Sequence, residues 1–88
     1  MGLTVGVIVI SYDVNRLHTE VKERMRELGY FDSWYYDGQK EHQMPNTTLW
    51  HKHKSSDAAI RDLKNVGLQL NVTLEKGVAV LAQEFAGI

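Results

Sequence analysis

The chain has 88 residues, of which 43% are apolar and 24% charged, with a formal net charge of −1 and no cysteine. A chain of this length makes one domain that buries only about 60–65% of its unfolded surface, and its composition excludes intrinsic disorder, a disulfide framework and a thiolate zinc site. The balanced charge excludes a globally basic nucleic-acid binder, so any such role must rest on a local patch.

The segment from Leu3 to Tyr12 is rich in Val and Ile and reads as a strand. Val5, Val7 and Val9 point one way, and Ile8, Ile10 and Tyr12 the other, the pattern of a central strand covered on two sides. From Val14 the period changes. Val14, Leu17, Val21, Met25 and Leu28 recur at three- and four-residue steps with charged residues between them, which predicts an amphipathic helix ended by Gly29 at its C′ position. Phe31 to Tyr36 reads as a short strand leaving through Asp37-Gly38, and Gln39 to Met44 as a polar connection. After Pro45, the Thr-, Leu- and Trp-containing run from Asn46 to Lys52 reads as another strand. A second helix starts at Ser55 or Ser56, with Asp57 favourable in its first turn and Ala59, Ile60, Leu63 and Val66 on its inner face. It stops either at Gly67 or near Leu70. A last apolar strand covers Gly77 to Phe85.

The order strand, helix, strand, strand, helix, strand is that of a ferredoxin-like βαββαβ plait, an α+β fold with two helices on one face of a four-stranded antiparallel sheet. One sheet face is then left open. Because the first strand is apolar on both sides, that face is expected to meet a second copy in a homodimer. The longest apolar run, Val5 to Ile10, is far short of a membrane span, and the first residues lack the basic region and cleavage site of a signal peptide, so the expected compartment is the cytosol, with no membrane partner.

A plait hosts many functions, so function has to come from a site. The aromatic, Gly-rich signature of an RNA-recognition motif is absent from "NTTLWHKHK", and there is no phosphate-binding Gly-rich loop. The "VISYDV" that closes the first strand, the helix ending in "ELGY", and "MPNTTLW" leading into the second helix together resemble the small nuclease-fold superfamily of CRISPR-associated protein two and virulence-associated protein D. The resemblance spans roughly Val7 to Lys64. It implies a dimer in which Tyr12 and Asp13 end the first strand as catalytic residues. The two Asp13 carboxylates would hold a divalent metal, Mg2+ or Mn2+, for cleavage of RNA or DNA. Magnesium takes hard oxygen ligands and keeps several waters, so one carboxylate from each protomer suits it.

The same residues also carry plainer readings. Asp13 can cap the helix that follows, stabilising it by about 0.5–2 kcal/mol, and Asn15 can do so instead. "HKHK", His51, Lys52, His53 and Lys54, is the compact basic patch; it can contact a phosphate backbone, and lysines on an edge strand also block unwanted pairing. His51 and His53, two apart, would share one strand face. Asn46 and Thr47 offer amide and hydroxyl groups to a phosphate or simply form a turn. Trp34, Tyr35, Tyr36 and Trp50 can stack bases or fill the core and a dimer contact. The main alternative to a nuclease is therefore a non-catalytic dimeric module that binds protein or nucleic acid; a third reading, a small-ligand regulatory plait with a pocket between protomers, is disfavoured by the absence of a Gly-rich ligand loop.

Overall fold

The computed structural model describes residues 2–34, 41–45 and 47–82. The first strand, β1 (Gly6–Val14), is the centre of the sheet. It is followed by helix α1 (His18–Glu27), a two-residue pair β2 (Ser33–Trp34) and β3 (His42–Gln43), strand β4 (Thr48–Lys54), helix α2 (Ser56–Leu70) and strand β5 (Leu74–Leu81). β4 and β5 flank β1 on either side, both antiparallel to it.

Alternation along β1 sets the layers. Ile8, Ile10, Tyr12 and Val14 are buried beneath the helices with Val21 and Met25 of α1 and Ala59, Leu63 and Val66 of α2, so both helices cover one face. Val14 was expected to begin the helix. It instead continues the strand, because its period-two place after Ile8, Ile10 and Tyr12 puts it in the core, where it is 3% exposed. The turn into α1 then passes through Leu17 at φ +58, with no side-chain cap on the helix.

Helix α1 ends as predicted at Gly29, whose φ is +98. The N–H groups of Gly29 and Tyr30 bond the carbonyls of Arg26 and Met25, a Schellman closure with buried Met25 and Tyr30 as its apolar clasp. A side chain at Gly29 would be strained by that φ and would put its Cβ 2.9 Å from Nε2 of His51. Helix α2 begins with Ser55, whose Oγ accepts the N–H of Ala58 at 3.2 Å. It passes through Gly67 and closes after Leu70 by the same Schellman pattern, with Asn71 in the left-handed conformation at φ +54.

The expected four-stranded sheet is three-stranded among the described residues, in the order β4-β1-β5. The segment read as its fourth strand meets β4 through one bridge, Phe31 to Trp50, and then leaves to form a separate ribbon in which Ser33 pairs with Gln43 and Trp34 with His42. The remainder of that predicted strand, 35–36, and the last residues of the final strand, 83–85, lie outside the described residues. Among the described residues, no helix is long and apolar enough to cross a membrane.

Candidate functional site on the open sheet face

The face of the sheet opposite the helices collects the other half of each strand. In register, Val9 lies between Trp50 and Val80, and Ser11 between Thr48 and Val78. Asp13 stands opposite Lys76. Val78 and Val80 are 56% and 51% exposed, so the β1–β5 half of this face is aliphatic and uncovered in the single chain. The β4 half is aromatic. Phe31 stacks on Trp50 with ring centroids 4.7 Å apart, and the Lys52 ammonium lies 5.3 Å from the centre of the Phe31 ring.

At the far end of this face, Ser11 Oγ and Thr48 Oγ1 share a hydrogen bond of 2.9 Å. Beyond them is Asp13, exposed on the strand. It does not cap α1: it sits in β1, four residues before the Leu17 that opens the helix. Asn15 is not the cap either. Its Oδ1 accepts the Thr73 N–H at 2.9 Å, while its own N–H reaches the Thr73 carbonyl at 3.2 Å, tying the exit of β1 to the entry of β5. A depression of about 410 Å³ at this end is lined by Ser11, Tyr12, Asp13, Lys76, Gly77 and Val78.

Tyr12 and Asp13, paired by the resemblance, diverge in the fold. The Tyr12 ring goes into the core, 5% exposed, and its hydroxyl is buried with no hydrogen-bond partner among the described residues. Burial pushes that phenol up to about 12. The hydroxyl therefore lies under the sheet while the carboxylate next to it lies over it. Thr47 sits at the same sheet end. Its carbonyl accepts the Tyr12 N–H at 3.1 Å, and it holds φ +64, a conformation costly for a β-branched residue. Asn46 lies outside the described residues.

The basic run "HKHK" does not keep its alternation. Two residues of β1, from Gly6 to Ile8, span three of β4, from Lys54 to His51, so a bulge inserts one residue. His51 and His53 consequently do not make the same-face pair expected from their spacing. His51, half-buried beneath Gly29, packs its ring edge against Tyr30 at 4.9 Å, and its Nδ1 accepts the backbone N–H of exposed His53 at 3.0 Å. Desolvation first, and then the nearby Lys54 charge, lower the His51 pKa. Lys54 turns to the helix side as well, where it pairs with Asp62 and stands 5.2 Å from the Tyr30 ring. The Tyr30 hydroxyl donates to the same Asp62 carboxylate at 2.9 Å. Of the four, Lys52 and His53 are exposed.

Residues that the sequence reasoning missed are Ser11, Lys76 and Phe31. Ser11 and Lys76 could have been found only with the strand registers in hand. Phe31 was legible as an aromatic beside a Gly-Tyr helix end, but its place against Trp50 depends on the bridge.

Among the described residues, no three His, Cys, Asp or Glu side chains converge as metal ligands. One chain offers Asp13 as a single exposed carboxylate, which fits a magnesium-like ion only as half of a shared site, since such ions take one or two carboxylates plus water and phosphate oxygens. No family model, curated protein or solved structure matches the chain. The fold and site define a small α+β domain with an antiparallel sheet open on one face.

Proposed function

We propose that the chain works in the cytosol as a homodimer joined through the aliphatic half of its open sheet face, and that the dimer brings two Asp13 carboxylates to one divalent cation for phosphodiester cleavage. The observation that carries this reading is the position of Asp13: exposed, on the uncovered face, at the end of the central strand, and free of the helix-capping role that would otherwise account for it. Val78 and Val80 on the same face support self-association, because burying an exposed Val contributes about 1.5–3 kcal/mol when complete. The strand order β4-β1-β5 with both helices on one face supports a plait in which Phe31–Trp34 is a displaced fourth strand.

Bound between two Asp13 carboxylates, Mg2+ or Mn2+ would act as a Lewis acid on the phosphate and lower the pKa of an attacking water. The chain's own residues do the rest. Asp13 supplies hard oxygens, the Ser11 and Thr48 hydroxyls offer hydrogen bonds to a phosphate oxygen, and Lys76 stands ready to balance its charge. Tyr12 anchors the strand end from below and does not touch substrate.

A second reading, a non-catalytic dimeric module binding protein or nucleic acid, is favoured by the register of Asp13 with Lys76, whose ammonium can neutralise the carboxylate without a metal. The two separate in one experiment. Single- and double-stranded RNA and DNA are incubated with the protein in Mg2+, Mn2+ or EDTA, beside Asp13→Asn and Val80→Lys, with sedimentation of each. The nuclease reading expects metal-dependent cutting by the wild-type dimer, lost in a folded, dimeric Asp13→Asn and in a monomeric Val80→Lys. No cutting, or cutting retained by Asp13→Asn, refutes it in favour of the binding module.

A further inference from the structure

The aromatic half of the open face lies apart from Asp13 and its neighbours. Phe31 is held against Trp50 by two backbone hydrogen bonds, Phe31 N–H to the Trp50 carbonyl at 2.8 Å and Trp50 N–H to the Phe31 carbonyl at 3.0 Å. The Trp50 indole is fixed in turn, its Nε1–H donating to the Ser33 carbonyl at 2.7 Å. Phe31 is nevertheless 38% exposed, on the side of the sheet that no helix covers. Two aromatics locked in a stack, one of them half in water with a lysine at its ring, form a preorganised π surface with a cation at hand.

We propose that Phe31, backed by Trp50, is a stacking subsite for an unpaired nucleobase, with Lys52 meeting the adjoining phosphate. Every base has a π face, so such a platform takes single strands with little regard to sequence and rejects a duplex, whose bases are already stacked. Lys52 rests near the ring through an exposed cation–π contact, which is weaker than a base–aromatic stack. An arriving base displaces the ammonium, and the flexible lysine moves to the phosphate. The charge around Phe31 gives the strand a direction. Its other flank is a depression of about 530 Å³ shared with Glu23, Arg26, Glu27 and Tyr30, where two carboxylates outnumber the one guanidinium and make the flank less favourable to a phosphate chain than Lys52. The backbone is therefore led along β4, past Lys52.

The platform lies at a workable distance from Asp13. Val9, the β1 residue beside Trp50, is four residues from Asp13, about 13 Å along the strand, and Phe31 lies two strand spacings across, about 9.5 Å. The diagonal is roughly 16 Å, a span of several nucleotides. The proposal rests on the nucleic-acid part of the reading above and not on its metal.

The test measures binding without chemistry. Fluorescently labelled ten-nucleotide single strands of RNA and DNA, and the matched duplexes, are titrated in EDTA with wild type, Phe31→Leu, Lys52→Gln and Lys52→Arg, each checked for native circular dichroism. Binding of single strands in preference to duplex is expected, with quenching of Trp50 emission in a Trp34→Phe background. Phe31→Leu should weaken binding by about five- to 150-fold, as loss of one stacked base does. Lys52→Gln should weaken it and flatten the log–log salt dependence by about 0.7, while Lys52→Arg retains both. Because EDTA removes the metal and with it any metal-dependent cleavage, single-strand binding in these titrations separates this proposal from the nuclease reading. A wild type that binds no single strand, or a folded Phe31→Leu that binds as well as wild type, overturns it; the first outcome would leave the aromatic surface to a protein segment.

Discussion

Replacing Tyr12 by Phe removes one oxygen from a buried position and leaves the ring in place. That hydroxyl is buried with no hydrogen-bond partner among the described residues, while the ring packs in the core with Ile8, Ile10 and Val14. Mutational data put the cost of burying a hydroxyl unpaired at about 1–3 kcal/mol. The variant should therefore gain about 1–2 kcal/mol, a large step for a chain whose total stability by size is about 4–13 kcal/mol. In a domain of this length each kcal/mol moves the melting temperature by roughly 4–8 °C, so calorimetry should show an upward shift of that order. Urea melts should show a higher midpoint at unchanged slope. Alkaline pH supplies a second readout. Burial raises the Tyr12 phenol from 10.0 to about 12, so the folded state keeps its proton longer than the unfolded state does. The stability this provides is complete below pH 10 and is lost as pH rises from 10 to 12. The Phe variant lacks that part of the loss and keeps the part due to Tyr30, which burial and the Asp62 hydrogen bond also raise. A loss of 1 kcal/mol or more on substitution would refute the reasoning by showing that the hydroxyl is bonded, and an alkaline limb unchanged from wild type would refute it by showing that the phenol is solvated. Under the nuclease reading the same variant should cut as well as wild type, because the oxygen it lacks lies beneath the sheet.

Leu63→Ala empties a site that is 1% exposed between α2 and the sheet and should cost about 2–5 kcal/mol, read as a lower urea midpoint with the slope preserved. His51 should titrate below its usual 6.5 by NMR, since desolvation and Lys54 lower its pKa and its Nδ1 accepts the His53 N–H. The unfolded chain then takes up that proton first, so the stability His51 provides is present above about pH 6.5 and falls as pH drops below it, a slope that His51→Gln should remove.

The strands and helices that bury a face were legible because burial imposes a period. Ile8, Ile10 and Tyr12 announced the inner side of β1, Gly29 announced the end of α1, and Ser55 was one of the two residues offered as the cap of α2. Where two periods overlap, the sequence was ambiguous. Val14 and Leu17 fit a helix stripe, yet Val14 also extends the period-two row of β1, and tertiary packing chose the strand. This choice is what takes Asp13 out of the helix-capping position and leaves it on the open face. The bulge in β4 had no signal, since nothing in "HKHK" marks an inserted residue, and so the turn of His51 and Lys54 toward the helices was hidden. The displacement of Ser33 and Trp34 into a ribbon with His42 and Gln43 was equally hidden, because two-residue pairings are too short to have a period. The proposed metal site would be completed only between two copies, so no pattern within one chain could announce it.

The central strand is also the first to be made. Among the described residues, β1 finds its partners in β4 and β5, 37 or more residues later in the chain. At ~5–20 residues per second, about 3–13 s pass between synthesis of Val14 and of Leu81. Until β4 is complete at Lys54, the row of Val and Ile in β1 has both edges unpaired, and its β5 edge stays open until the end of the interval. A permuted chain that places β5 directly ahead of β1 shortens the wait for that edge and should fold faster and aggregate less.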